Sequence, residues 1–340
     1  MKAVRFLGNH VVSVDEIPGP TYGPHDVLLQ PLAVGVCGTD THIVDGDFVS
    51  RPPMVLGHEI CARVAEVGSA VTTLAVGDLV TVEPHIYDGT CIWCQLGKPH
   101  MCPNRLAPGV HLDGGMAELL VVPETIAYKL PADTPPHFGA LTEPIACSVH
   151  AMDRLDARSG LPIAIFGAGP AGAILIALAK LAGLAPVVSI EMREQRRDLA
   201  LRVGADIAID PRDPNFDQVV KDTTAGNGFP YVVDAVGSSR ILESAISIAA
   251  RGANILLFGV ARPDDVASVK PNEIYAKELT LLGTALNPFT HRRAANLLPS
   301  LPLSELHAGF FGLDDIEAAL QAQRDGTFDK VFITPQEATR

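Results

Sequence analysis

The sequence predicts an α/β-plus-β protein: an irregular antiparallel β-domain followed by a parallel, doubly wound α/β domain. Three observations carry that expectation. The chain has 340 residues, and domains usually hold roughly 100–200. Its texture changes near residue 150, from short β-type runs broken by Gly and Pro to alternating strand-like and helix-like runs. The second half also opens with a glycine-rich turn set between an apolar run and an Ala/Leu-rich run, the order of a βαβ unit.

In the first region, Val27–Gln30, Ala62–Val67 and Leu79–Val82 read as strands. In the second, 162–166 is a buried-type strand and a helix follows to about Ala182. The runs 186–190, 231–234, 254–258 and 279–282 continue the strands, with helical segments between the earlier ones. Such alternation implies a parallel sheet. The tail from about 286 is mixed: 314–323 reads as a helix with Asp314 or Asp315 near its cap, and 330–333 as a final strand able to pair back with the first domain. The expected division is 1–147, 148–285 and 286–340.

Composition narrows the function. Hydrophobic residues make up 47%, enough for a large core, and the net charge of −13 repels phosphate backbones, so nucleic acid is excluded as a partner. The start, Met1 to Phe6, lacks the apolar stretch of a signal peptide. The most apolar stretch, Leu161 to Ile190, is broken by four glycines, three prolines and Lys180, which reads as strand–turn–helix–strand rather than a membrane span. A cytoplasmic protein is expected. Six cysteines in such a chain suit metal binding better than a disulfide framework.

Gly167-Ala168-Gly169-Pro170-Ala171-Gly172 is a G-x-G-x-x-G between strand and helix. Gly167 permits the tight turn, Gly169 lets backbone approach a pyrophosphate, and Gly172 lets helix and strand pack closely. The helix N-terminus offers free N–H groups to the phosphates. The fingerprint wants an acid about 20 residues on, and Glu191 stands 24 past Gly167. Its carboxylate would bond the ribose hydroxyls of NAD and repel a 2′-phosphate. Arg193, Arg196 and Arg197 pull the other way, since an arginine there can clamp the 2′-phosphate of NADP, stack on adenine or face solvent. The cofactor expected is NAD, with NADP left open.

Cys37 (in Gly35-Val36-Cys37-Gly38-Thr39-Asp40-Thr41-His42), His58 (in Gly57-His58-Glu59) and Glu143 (in Leu141-Thr142-Glu143-Pro144) are each unremarkable alone. Together with Asp88-x2-Cys91-x2-Cys94-x7-Cys102 and the later glycine fingerprint, they run in order along essentially the whole chain. In that ensemble the sequence resembles the zinc-containing medium-chain dehydrogenase/reductase family, which includes alcohol, polyol and threonine dehydrogenases. The resemblance implies a GroES-like catalytic domain, a Rossmann domain and a tail returning to the catalytic domain.

By that resemblance Cys37, His58 and Glu143 fall on the catalytic zinc positions, and Glu59 on a neighbour that can coordinate directly or through water. Thiolate, imidazole and carboxylate suit Zn²⁺, and three protein ligands leave a position open. A carboxylate as third ligand resembles the polyol, threonine and glucose dehydrogenase branch. Asp88, Cys91, Cys94 and Cys102 match a structural zinc lobe, with Asp88 where the family usually has cysteine. His85 or His100 as ligand, an empty site, free thiols and a Cys91–Cys94 disulfide remain alternatives.

The implied chemistry is hydride transfer between a small secondary alcohol, such as a polyol or sugar alcohol, and the nicotinamide. Zinc acts as Lewis acid, and Thr39 and His42 relay the proton; their other reading is local backbone bonding. The resemblance also places Val236, Gly237, Phe258, Gly259, Val260, Thr284 and Ala285 near the cofactor. Phe48, Asn287 and Phe289 are pocket candidates. A homodimer or homotetramer is implied. The rivals are an NADP-dependent aldose dehydrogenase, a zinc-free quinone or enoyl reductase, and a non-catalytic NAD-binding sensor.

Overall fold

The computed structural model describes residues 1–336; the last four residues of the expected tail segment lie outside it. The chain divides into two compact units. One comprises Met1–Ala146, Pro288–Pro299 and the stretch from His307; the other comprises Cys147–Asn287 and Ser300–Leu306.

The first unit is built on β1 (Lys2–Gly8), β2 (Val11–Glu16), β3 (Asp26–Val36), β4 (Met54–Val55), β5 (Glu59–Val67), β6 (Leu79–Val82), β7 (Leu120–Pro123) and β8 (Ala127–Lys129). A small sheet runs β2-β1-β4. In the larger one β3 pairs antiparallel with β5 and β7, β5 with β6, and β6 with β8. Between them lies one apolar core, which includes Val4, Leu29, Val34, Leu56, Ile60, Val80 and Met116.

The second unit holds a six-stranded sheet of β9 (Ile163–Phe166), β10 (Val187–Ile190), β11 (Ile207–Ile209), β12 (Phe229–Asp234), β13 (Ala249–Leu257) and β14 (Thr280–Gly283). The spatial order is β11-β10-β9-β12-β13-β14, and all five pairings are parallel. This is the doubly wound dinucleotide-binding topology, with its switch point beside β9. Alternation along β9 shows why the strand is apolar throughout. Ile163 and Ile165 enter one buried cluster while Ala164 and Phe166 enter another, since successive side chains point to opposite faces and helices cover both.

Strand ends differ from the sequence expectation. β13 begins at Ala249 rather than 254, because Phe229 pairs with Ala249 before a register shift. β14 is displaced one residue onward, ending at Gly283 opposite Leu257. The tail opens with the helix His291–Leu297 and returns as β15 (Ala308–Phe311) and β16 (Lys330–Ile333). The expected 314–323 helix is a 3-10 turn, Leu313–Asp315, running into an α-helix Ile316–Asp325; Asp315 is its N-cap without a side-chain cap bond, and Gly326 closes it in the left-handed region. β16 adds antiparallel to β3, with Phe332 opposite Gly35. Ser300–Leu306 groups with the second unit because Leu301, Leu303 and Leu306 line an apolar groove with Ala173, Ile174 and Val203.

Candidate metal centres and dinucleotide site

Cys37 leaves β3 and is the N-cap of the helix Gly38–Asp45. Its backbone N–H donates to Asp40 Oδ2 at 2.9 Å. That bond turns the fully buried Asp40 inward, where its Oδ1 lies 3.6 Å from His58 Nδ1. A carboxylate facing the second nitrogen of an imidazole is the usual support of a metal-binding histidine. Asp40 carries no ligand signal in the sequence; only its place in the first helical turn hints at it.

His58 and Glu59 sit where β5 starts. Glu59 is opposite Gly35 in register. A Cβ at Gly35 would lie 1.8 Å from Glu59 Oε2, so only glycine fits across from that inward carboxylate. Cys37, His58 and Glu59 form a group whose ligand atoms lie within 4.8 Å of one another. Glu143, buried in the first turn of the helix Thr142–Leu155, is not in that group.

Lys330 is the residue that sequence reasoning missed. β16 carries it in beside Cys37, one step on from the pair Val331–Val36. Its Nζ lies 2.6 Å from Glu59 Oε2 and 2.8 Å from Oε1, and the two side chains are 4% and 1% exposed. Burial opposes the ammonium, but Glu59, Cys37 and Asp40 together outweigh it and raise its pKa. For His58 burial again lowers the pKa, and Asp40 and Cys37 reverse the sign, leaving it well above the ordinary value. The carboxylates and the thiol thus favour positive charge at this place. Its donor set of thiolate, imidazole and carboxylate fits Zn²⁺.

Thr39 Oγ1 lies 3.8 Å from Cys37 Sγ. His42, one turn on, is half-exposed and 4.0 Å from Asp47.

The second group is Asp88, Cys91, Cys94 and Cys102. Its cysteines are free thiols, with Cys91 and Cys94 Sγ 3.5 Å apart. Asp88 Oδ1 accepts from the backbone N–H of Thr90 at 2.8 Å and of Cys91 at 2.9 Å, and Oδ2 from Asn104 at 2.8 Å. The Cys91 N–H, Asn104 and Thr90 hold its carboxyl far below the usual range. The carboxylate is therefore ionised and aimed before any cation arrives, and three thiols with one carboxylate oxygen suit a tetrahedral zinc. His85 and His100 are not in the group.

In the second unit, Gly167 follows β9 with φ +88°, and a Cβ at Gly172 would lie 2.1 Å from Gly167 O. Both glycines are thus required, one by conformation and one by close approach. Pro170 opens the helix Pro170–Leu181, with Gly169 as its N-cap and Ala171 in its first turn. Glu191 follows β10; its Oε2 accepts from Ala168 N at 3.0 Å and its Oε1 from Arg193 N at 2.9 Å. The acid thereby ties the second strand to the glycine turn.

Arg197 is committed to the Glu191 and Met192 carbonyls. Arg196 instead reaches toward Gly169, 3.6 Å from where a Cβ would stand. Val236 and Gly237 donate to Asp234 Oδ1, both at 2.8 Å. Gly237 and Gly259 approach so closely that a Cβ at Gly259 would lie 2.2 Å from Gly237 N. Phe258, Gly259 and Val260 follow β13, and Thr284 and Ala285 follow β14. All these segments leave the carboxyl ends of the strands, where such sheets bind ligands. Among the pocket candidates, Asn287 is fully buried and Phe289 is 70% exposed.

Comparison with known proteins agrees along the whole chain. Residues 23–132 match the alcohol dehydrogenase GroES-like domain, and 170–300 match the zinc-binding dehydrogenase domain. The L-threonine 3-dehydrogenase of Pyrococcus furiosus is 36% identical over 97% of this chain and 96% of its own. A candidate zinc-binding dehydrogenase from Sinorhizobium meliloti 1021, solved with NADP, superposes with TM-score 0.93 at 34% identity over 98% of this chain and 99% of its own. The 2R,3R-butanediol dehydrogenase of Bacillus subtilis gives TM-score 0.90 at 26% identity over 98% and 99%.

Proposed function

This chain belongs to the zinc-binding dehydrogenases, and on that premise we propose that it moves hydride between a small secondary alcohol and NAD. The carrying observation is the buried group of Cys37, His58 and Glu59. Cys37 and His58 hold the catalytic zinc with a carboxylate shared between Glu59 and Glu143. Zinc there supplies a Lewis acid that lowers the hydroxyl pKa, and the nicotinamide supplies the hydride acceptor.

The chain's own residues do the rest. Asp40 fixes the ring orientation of His58. Lys330 neutralises Glu59 and keeps that carboxylate in place while it is not a ligand. Thr39 takes the substrate proton and His42, half in solvent, passes it out. Asp88, Cys91, Cys94 and Cys102 hold a second, structural zinc. The glycine turn and the N-terminus of the helix Pro170–Leu181 bind the pyrophosphate, and Val236, Phe258, Gly259, Val260, Thr284 and Ala285 line the nicotinamide side.

A polyol or sugar alcohol suits the carboxylate-liganded site. NADP as cofactor has one specific observation in its favour, Arg196 beside Gly169, together with a relative solved with NADP. NAD is favoured by Glu191, whose carboxylate repels a 2′-phosphate. A homodimer or homotetramer is expected, joined at β14, whose outer edge is exposed and pairs on one side with β13. Among the described residues no helix is long and apolar enough to cross a membrane, and we place the enzyme in the cytoplasm.

The test is a panel of polyols, aldoses and amino alcohols, assayed with NAD and NADP before and after chelation. Turnover that disappears on chelation and returns with Zn²⁺ supports the reading. Undiminished turnover after complete metal removal overturns it. Light scattering reads the oligomeric state.

A further inference from the structure

The backbone that carries His58 is held by a second stretch of chain. β4 ends at Val55 and β5 begins at Glu59, so Leu56, Gly57 and His58 lie between the two strands. The chain from Ala107 to Met116 supports them there. Gly114 N–H donates to Val55 O, Met116 N–H to Leu56 O and Gly115 N–H to Gly57 O, each at 2.9 Å. In return Val55 N–H donates to Asp113 Oδ1 at 2.9 Å. The supporting stretch is itself tied into a turn: Gly109 N–H donates to Leu112 O and His111 N–H to Ala107 O, both at 2.8 Å.

Two glycines of the turn press on the peptide that joins Gly57 to His58. A Cβ at Gly114 would lie 2.3 Å from Gly57 O, and one at Gly109 would lie 2.4 Å from the same oxygen and 3.0 Å from His58 N. A side chain at either place would push that peptide aside. A turn that only filled space would supply bulk here; this one removes bulk and offers N–H groups to three consecutive carbonyls. An imidazole ligand needs both of its ends fixed. Asp40 faces the ring, with Oδ1 3.6 Å from Nδ1, and the turn fixes the backbone from which the ring projects. The demand is strict, because Cys37 follows β3 and two separate segments must meet at one ion. Such a site tolerates errors of about 0.5 Å. Asp113 is exposed and belongs to neither metal group, so its carboxylate acts on the site only through the backbone it holds.

We propose that Asp113, Gly109 and Gly114 are positioning residues for the catalytic metal. The turn they build is a template that sets the Gly57–His58 peptide, and with it the angle at which His58 meets the ion. This rests on the zinc dehydrogenase reading and adds to it a support that lies outside both metal groups.

The experiment loads the full-length protein with Cd²⁺ and reads it by cadmium NMR. Each metal group then has its own resonance, because the number of thiolate ligands dominates the cadmium shift; the first group offers Cys37 alone, the second Cys91, Cys94 and Cys102. Asp113→Ala removes the acceptor of the Val55 N–H, whereas Asp113→Asn keeps an oxygen there. In Asp113→Ala the one-thiolate resonance is expected to move or broaden while the three-thiolate resonance stays. In the zinc-loaded enzyme, kcat for the best alcohol of the panel is expected to fall by about 10- to 100-fold, the usual effect of losing a support behind a metal ligand, with KM for NAD unchanged. Asp113→Asn should restore both readouts, and Gly109→Ala should act in the direction of Asp113→Ala. Lower stability alone changes the urea midpoint and leaves the resonances and kcat of the folded protein where they were.

Both changes are required. If either the one-thiolate resonance or kcat keeps its wild-type value in Asp113→Ala, or if both resonances move equally, the proposal is overturned. It is overturned as well if Asp113→Asn is as impaired as Asp113→Ala. The Asp113 pair decides the matter by itself should Gly109→Ala fail to fold. The dehydrogenase reading fails in a different way, through a wild type that shows no one-thiolate resonance or turns over no alcohol of the panel; the positioning role then falls with it.

Discussion

The two candidate metal groups are made of similar donors but assembled in opposite ways. Asp88, Cys91, Cys94 and Cys102 come from one short stretch of chain, and the group is partly open to solvent. Cys37, His58 and Glu59 come from the end of one strand and the start of another, and a lysine from the last strand closes the pocket behind them. A contiguous loop can present ligands whatever the rest of the fold does. A buried group needs the strand register, the glycine across from Glu59 and a counter-charge, because unpaired buried charges are expensive. The difference suggests that one group is tuned for holding metal and the other for using it.

Cys37→Ser should produce the largest effect. We expect kcat/KM to fall by about 10³-fold, the scale of losing a Lewis acid, while NAD binding by calorimetry is unchanged. A fully active variant would contradict the scheme. Lys330→Met comes next. It leaves the Glu59 carboxylate buried without its partner, at a cost of about 3–5 kcal/mol in urea unfolding. The loss should be smaller with Zn²⁺ bound than after chelation, because the metal replaces the missing charge. Equal losses in the two states would mean that Lys330 and the metal do not share Glu59.

Asp88→Ala should remove the lobe's metal while turnover of butane-2,3-diol stays near wild type. Asp88→Cys should slow release of that metal to a chelator, since a soft thiolate replaces a hard oxygen. If Asp88→Ala abolishes turnover, the division of labour between the groups is wrong.

The smallest effect concerns two buried histidines. His291 is fully buried with its Nε2 3.2 Å from Thr81 Oγ1, and burial, with help from Arg292, pushes its pKa down to about 3. His58, equally buried, is raised by Asp40. For His291 the folded value lies below the unfolded one, about 6.5. Its contribution is therefore intact above that pH and shrinks as pH falls from about 6.5 toward 3. His291→Gln should flatten this part of the stability–pH curve, read by thermal unfolding. An unchanged slope would mean the ring is charged in the folded state.

Much of this was legible before folding was considered. The glycine turn, the spacing from Gly167 to Glu191 and the three cysteines of the lobe are local patterns, and local patterns survive in a one-dimensional string. So did five of the six strands of the second unit, because a strand buried on both faces must be apolar throughout; the short, partly buried β11 was not among them. Strand ends were less legible: β13 starts early because pairing with β12 extends it beyond its most apolar residues.

Lys330 illustrates the other limit. It reads as an ordinary surface lysine at the start of a short strand, and it lies 271 residues from Glu59. Asp40 is like it in this respect, since it takes its meaning from His58, supplied by another segment.

By itself, then, the sequence determined the family, the two kinds of unit, the glycine fingerprint and the candidate donors of both metal groups. Tertiary structure alone decided which carboxylate joins Cys37 and His58 in one group and which cation answers it. The physical reason is that donor chemistry belongs to single residues, whereas charge balance belongs to a buried volume whose members the chain brings together only on folding.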